Sequence, residues 1–112
     1  MTGTIFVSAD ARFGIRTIDF EWIAHELRSR VTAGNESALS SVLKAHDEQG
    51  MDMLLADKLD ANDFRLFAQA FDGVTTDLQS THGECAMLTF LRSVQSAIRN
   101  DSRWLDAKPR AL

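Results

Sequence analysis

Residues 60–73, Asp-Ala-Asn-Asp-Phe-Arg-Leu-Phe-Ala-Gln-Ala-Phe-Asp-Gly, decide the fold of this chain. Three aromatic residues in it recur three and four positions apart: Phe64, Phe67 and Phe71. This spacing places all three rings on one face of a helix. Asp60 can accept a hydrogen bond at the start of that helix, and Gly73 can supply a left-handed residue at its end. The stretch therefore predicts an amphipathic helix whose aromatic stripe lies at the centre of a hydrophobic core.

Three other stretches have apolar residues at the same helical spacing. They lie at 17–34, 35–50 and 83–100. In the first, Thr17 or Asp19 can cap the start, and Gly34 can end the helix. In the second, Asn35 can cap the start and Gly50 can end it. The sequence thus predicts about four helices.

The first 18 residues have strand character instead. Ile5, Phe6 and Val7 favour extended structure, and Phe13 and Ile15 fall on alternate positions, as one face of a strand requires. Ala9 and Asp10 can turn the chain between these two runs. The predicted fold class is therefore α+β and predominantly α. An N-terminal β-hairpin precedes the helical bundle in a single domain of residues 1–112.

Residues 51–59 fit two structures. Met51, Leu54 and Leu59 have helical spacing, whereas Met51, Met53 and Leu55 alternate like the residues of a strand added to the hairpin. The sequence leaves both open. After Asp106 it has no periodic apolar face, so we expect a frayed end there.

Composition narrows the functional classes. The chain has 112 residues and a formal charge of −4, which has the wrong sign for gripping a phosphate backbone, so nucleic acid is not an expected partner. The one cysteine, Cys85, forms no internal disulfide and suits a reducing cytoplasmic compartment.

The longest apolar-rich window, residues 85–91, is far shorter than the roughly 20 residues that span a bilayer, so we expect no membrane segment. Residues 1–12 lack the basic start and long apolar run of a signal peptide.

No residue pattern predicts catalysis, a metal or a cofactor. Glu21 and His25 lie one helical turn apart, but a surface carboxylate beside a histidine is the simpler interpretation. The run from His82 to Glu84 resembles part of a zinc-deaminase motif, yet that site needs further cysteines, and Cys85 stands alone. His46 occupies an inner helical position, which is typical of a hydrogen-bonded histidine at the boundary of a core. We therefore expect a protein that is not an enzyme.

Charge is distributed unevenly along the chain. Residues 47–84 contain nine acids and two bases and sum to −7, whereas the rest of the chain sums to +3. Such a segment can attract a basic partner, although some of its acids can instead cap helices or pair with arginines near the C-terminus. The acids predicted to bind a partner are Asp47, Glu48, Asp52, Asp57, Asp60, Asp63, Asp72 and Asp77. Glu84 is the ninth acid of the segment and is not in the predicted binding set.

In its size, acidic middle segment and lack of a catalytic pattern, the chain resembles the immunity proteins of bacterial toxin systems, including those of contact-dependent growth inhibition. The resemblance implies a protein that neutralises a basic, nuclease-type toxin domain by covering its active site with an acidic surface. The alternative is a small self-associating helical adaptor with no inhibitory role. In that case Trp22, Trp104 and residues 51–55 would supply the contact.

Overall fold

A computed structural model describes the backbone of residues 2–106 and the side chains of residues 2–105. This part of the chain contains three strands and five helices. In chain order they are β1 (Thr2–Phe6), β2 (Arg12–Arg16), α1 (Thr17–Arg28), α2 (Glu36–Gln49), β3 (Met53–Leu55), α3 (Ala61–His82), α4 (Ala86–Asn100) and α5 (Ser102–Asp106). This order confirms the predicted α+β, predominantly helical class with an N-terminal hairpin. The predicted frayed end at residues 107–112 lies outside the described residues.

The strands form one sheet in the order β2-β1-β3. β1 pairs antiparallel with β2, with Ile5 opposite Phe13, and parallel with β3, with Ile5 beside Leu54. The parallel pairing settles residues 51–59 as a short added strand rather than a helix. Parallel strands need a long connection, and here β2, α1 and α2 together connect β1 to β3. Ile5 and Leu54 are both fully buried under the helices.

The core is built around α3, as the spacing of its aromatic residues predicts. Phe64, Phe67 and Phe71 are fully buried, with successive ring centroids 6.1 and 5.9 Å apart. The buried residues of α4 join the same cluster: Leu88, Leu91, Val94 and Ile98. Since the two helices bury their apolar faces in one cluster, this pair organises the bundle. No helix in residues 2–106 combines the length and the apolar character that crossing a bilayer requires.

The prediction that Gly73 ends the third helix is wrong. α3 continues for nine further residues, because Val74 and Leu78 extend its buried face. Gly73 instead allows a close approach: its carbonyl oxygen accepts a hydrogen bond of 3.2 Å from Arg30, and a Cβ there would lie 3.0 Å from the Arg30 Nε. The helix ends at Gly83, whose φ of 65° suits glycine.

The predicted ends of the first helix are also wrong. α1 stops at Arg28 rather than Gly34, and neither Thr17 nor Asp19 caps its start. Asp19 instead forms an ion pair with Arg16 at 3.0 Å.

The linker that follows α1 is held by a side chain rather than by a glycine turn. Asn35 Oδ1 accepts a hydrogen bond of 2.7 Å from the Thr32 backbone N–H, and its Nδ2 donates to the Arg30 carbonyl at 3.1 Å. Asn35 occupies the N-cap position of α2, but the prediction that its side chain caps this helix is wrong. Two other predicted ends are confirmed. Gly50 ends α2 with a φ of 66°, and the Asp60 carboxylate caps α3 by accepting a hydrogen bond of 2.8 Å from the Asp63 N–H.

Arg103 of the short helix α5 joins the sheet to the helices. Its guanidinium donates to three main-chain carbonyl groups, those of Val7 at 2.6 Å, Ala56 at 2.7 Å and Leu59 at 3.0 Å. The same group lies 3.9 Å from the ring centroid of Phe64 and pairs with the Asp101 carboxylate at 2.9 Å. The side chains of Arg103 and Asp101 are only 18% and 11% exposed to solvent. One guanidinium group therefore provides hydrogen bonds to the main-chain carbonyl groups that follow both β1 and β3.

Gly3 should be indispensable for packing α1 on the sheet. A Cβ at this position would lie 2.3 Å from Cγ of the buried Phe20 ring, so either the strand or the ring has to move. We expect Gly3→Ala to lower the free energy of unfolding by about 1–3 kcal/mol, the usual cost of overpacking. Gly14→Ala is the matched control, because it lies on the paired strand with nothing within 4 Å of its Cβ position. Its expected change is within about 0.5 kcal/mol. Urea denaturation measures both, and equal effects would contradict the close packing.

The Asp101–Arg103 pair should make stability depend on pH. The Arg103 guanidinium holds the pKa of the Asp101 carboxyl below its usual value of 3.8, against the opposing effect of burial. A carboxyl whose pKa is lower in the folded state adds stability above its unfolded pKa, and this is lost as pH falls through the folded value. We expect Asp101→Asn to lower the free energy of unfolding by about 1–3 kcal/mol at pH 6. The difference from the parent should shrink in denaturation curves measured at pH 3. A difference independent of pH would contradict this role of the charge.

Candidate functional site

The fold divides the acids of the segment 47–84 into two groups. Four of them form ion pairs with arginines from outside the segment: Asp47 with Arg28, Asp72 with Arg99, Asp77 with Arg30, and Glu84 with Arg92. Two of these arginines flank the end of α1, and two lie on α4. The negative charge of these four acids is therefore balanced within the fold.

Arg30 connects Asp77 with two other groups of the fold. Its guanidinium pairs with Asp77, donates to Glu26 Oε1 at 3.2 Å and binds the Gly73 carbonyl oxygen. An open groove of about 370 Å³ lies beside this cluster, with Trp22 among its lining residues. Asp77 therefore helps to position α3 against the end of α1, which is a structural role.

The other five acids lie within residues 48–63. Asp60 caps α3, and the other four form no ion pair with any residue whose side chain the structure describes: Glu48, Asp52, Asp57 and Asp63. Lys58 is the only base in residues 48–63, so the segment carries a net charge of −4. We call these five residues, Asp60 included, the uncompensated acids.

The uncompensated acids follow the chain from α2 through β3 into α3. Glu48 lies in the last turn of α2, and Asp52 and Asp57 flank β3 at its two ends. Three strand residues span roughly 10 Å. The structure brings Asp60 and Asp63 together through the helix cap. Asp57 has a buried Oδ1 with no hydrogen-bond partner in the described part of the chain. These acids therefore follow one another along one stretch of sequence, from the end of α2 past β3 into the first turn of α3.

His46 is the centre of a second polar cluster. Its Nε2 lies 3.0 Å from Glu21 Oε2, and its Nδ1 lies 3.3 Å from Asp47 Oδ1. Nitrogen or oxygen atoms of Glu21, His46 and Asp52 all lie within 4.8 Å of one another. The imidazole also packs against the Phe20 ring, with centroids 5.5 Å apart. Side chains from α1, α2 and the turn before β3 therefore meet at one partly buried histidine.

The surroundings of His46 favour charge on the ring and on its neighbour. The hydrogen bond with Glu21 raises the pKa of His46, burial opposes it, and Asp47 adds to the rise. The Arg28 guanidinium lowers the pKa of Asp47, again against burial, and His46 adds to this effect. The predicted hydrogen-bonded boundary histidine is confirmed.

The sequence did not reveal the Glu21–His46 contact. Sequence spacing paired Glu21 with His25 on the same helix, whereas the structure leaves His25 exposed and joins Glu21 to a residue 25 positions away. No local pattern predicts a contact between two helices whose relative orientation is set by packing.

Cys85 and His82 lie near each other in the chain but form no described site. The Cys85 residue is the N-cap of α4 and is half-buried, whereas His82 Nδ1 lies 2.8 Å from Thr81 Oγ1. Glu84 is held by Arg92 through two hydrogen bonds of 2.8 and 3.0 Å. Among the side chains that the structure describes, no hydrogen bond joins the Cys85 thiol to a histidine.

The apolar residues predicted for self-association range from fully buried to exposed, and most of them are partly buried. Leu54 is fully buried, and the Arg99 guanidinium lies 4.7 Å from the Trp104 ring centroid. Met51 is 44% exposed, and the most exposed large apolar side chain described, Ile18 at 73%, lies outside the predicted set. A shallow groove of about 480 Å³ separates β2 from α4, with Ile15 and Phe90 on its walls.

The fold is similar to that of a solved immunity protein. The chain matches the CdiI protein in the structure of the CdiA-CT toxin from Burkholderia pseudomallei E479 in complex with its cognate CdiI immunity protein, with a TM-score of 0.83. The match covers 90% of this chain and 97% of that chain at 16% sequence identity. No protein-family model matches the sequence, and no curated protein is similar to it in sequence. At this identity the likeness establishes the fold.

Proposed function

We propose that this chain is an immunity protein that neutralises a bacterial toxin by binding it. The observation that carries the proposal is the match to CdiI, since the shared fold extends over nearly the whole of a protein solved in complex with its cognate toxin. The sequence resembles the same class of protein through its charge distribution, which is a separate property from the path of the backbone.

Binding is sufficient for this function, and no catalytic step is required of the chain. The partner is a toxin domain, and the encounter takes place in the bacterial cytoplasm, a compartment that suits a protein with one half-buried cysteine. The proposal excludes direct contact with nucleic acid, because a net charge of −4 repels a phosphate backbone.

We further propose that the uncompensated acids form the toxin-binding surface. An acid that already pairs with an arginine has to break that contact before it can bind a partner, whereas an acid without such a pair can bind at once. Of the eight acids predicted to bind a partner, this leaves Glu48, Asp52, Asp57, Asp60 and Asp63, and it assigns Asp47, Asp72 and Asp77 to the fold.

A nuclease-type toxin fits such a surface. An active site that binds phosphate is basic, so an acidic protein surface can occupy it by imitating the charge of the substrate. Charges at the rim of an interface act mainly on the association rate, whereas buried pairs act on dissociation. Since the uncompensated acids lie mostly near the surface, their effect should be greatest on association.

The binding role is tested with the product of the neighbouring reading frame. Expression of that product alone should stop cell growth, and co-expression with this chain should restore growth. The purified proteins should form a stoichiometric complex in size-exclusion chromatography. A failure to protect cells and to form a complex would contradict the immunity role. If the chain instead self-associates and does not bind the partner, the adaptor alternative is favoured.

The binding surface is tested with a matched pair of charge reversals, Asp63→Lys and Glu36→Lys. Both acids lie in the first turn of a helix, so both changes carry the same unfavourable effect on the helix dipole. Only Asp63 belongs to the uncompensated acids. We expect Asp63→Lys to slow association by about threefold to tenfold at low ionic strength, and Glu36→Lys to have a much smaller effect.

Association rates at two salt concentrations measure these effects, with circular dichroism as the control for folding. The Asp63→Lys effect should diminish at the higher salt concentration, because salt screens exposed charges. Equal effects of the two reversals would remove the uncompensated acids as the binding surface, even if the complex itself forms.

A further inference from the structure

Three carboxylates surround His46, and each comes from a different part of the fold. Glu21 belongs to α1, Asp47 follows His46 on α2, and Asp52 lies in the turn before β3. Their convergence depends on tertiary packing, since α1 and β3 reach the same end of α2 only in the folded chain.

The charges in this cluster are incompletely balanced. Asp47 pairs with Arg28, but Glu21 and Asp52 have no lysine or arginine partner among the described side chains. Their oxygen atoms lie within 4.8 Å of each other and of a His46 nitrogen. Two carboxylates at this distance repel each other, and a metal cation that replaces a ring proton of His46 reduces that repulsion.

We propose that Glu21, His46 and Asp52 bind a divalent transition-metal ion, with zinc as the most suitable ion. One imidazole nitrogen and two carboxylate oxygens are donors that zinc accepts. Magnesium and calcium prefer oxygen donors throughout, so the imidazole disfavours them. Three protein ligands leave a fourth position for water or for a side chain of a binding partner.

Asp47 and Arg28 lie on the side of the His46 ring opposite to Glu21. The His46 nitrogen that faces Glu21 is Nε2, and the opposite nitrogen, Nδ1, lies 3.3 Å from Asp47 Oδ1. A histidine that binds a metal through one nitrogen commonly donates its other N–H to a carboxylate, which fixes the ring. Arg28 pairs with the same carboxylate and holds it in place. Asp47 is therefore a positioning residue.

The cluster is accessible from solvent. Glu21 is exposed, and His46 and Asp52 are intermediate in burial. An ion can therefore reach the donors without opening the core. Asp52 also belongs to the uncompensated acids, but zinc binding by the free chain does not require a toxin and is tested without one.

Isothermal titration of the metal-free full-length chain with Zn²⁺ at neutral pH tests the site. We expect one zinc per chain and much weaker heats with Mg²⁺. Asp52→Asn should weaken zinc binding by more than about tenfold, since even the outer partners of metal ligands contribute about 10–100-fold. Asp63→Asn is the matched control, because it neutralises another uncompensated acid outside the cluster, and it should bind zinc like the parent.

The histidines provide a second comparison. His46→Gln should lose zinc binding, whereas His25→Gln, which alters the neighbouring histidine on α1, should retain it. If His46→Gln unfolds because it disturbs the packing on Phe20, Asp52→Asn and Glu21→Gln decide the question, with circular dichroism confirming their fold. Absence of one-to-one zinc binding by the parent, unchanged binding in Asp52→Asn, or loss of binding in His25→Gln would each overturn the proposal.

Discussion

The guanidinium of Arg103 is the contact that holds the two halves of the fold together. The chain leaves the sheet after β1 and again after β3, and the carbonyl groups at these exits are partly buried beside the first turns of α3. Such groups need donors, and a planar cation with five N–H groups can supply several at once. Asp101 balances its charge, and Phe64 packs against its face. The α5 helix thereby fixes the position of the sheet against the central helix.

Other arginines determine what remains at the surface. Arg28 and Arg30 at the end of α1, and Arg92 and Arg99 on α4, occupy four acids of the segment 47–84. Each exposed pair contributes little to stability, typically below about 1 kcal/mol. Their main consequence is the charge distribution, because the uncompensated negative charge of the segment is left to residues 48–63. The same packing that builds the bundle thus determines which acids of the segment keep a charge that no arginine balances.

Local patterns in the sequence predicted the parts of the fold that depend on local physics. The spacing of Phe64, Phe67 and Phe71 predicted the core helix, and alternation before residue 18 predicted the hairpin. Local spacing does not predict the role of Gly73, because Gly73 allows the close approach of Arg30, a residue 43 positions away. The sequence does not decide between strand and helix at 53–55, because these three residues pair with β1 only through a connection that contains β2, α1 and α2. For the candidate site, the sequence supplied the acidic segment, whereas its division into compensated and uncompensated acids and the Glu21–His46 contact follow from tertiary packing.

We propose that this chain binds a toxin through residues 48–63. Backbone hydrogen exchange, measured on the chain alone and in complex with the product of the neighbouring reading frame, tests it most directly. We expect the amides of the turns at 50–52 and 56–60, which flank β3, to become protected in the complex, and those of the groove between β2 and α4 to remain unchanged. Protection confined to that groove, with the turns beside β3 exchanging as in the free chain, would contradict it.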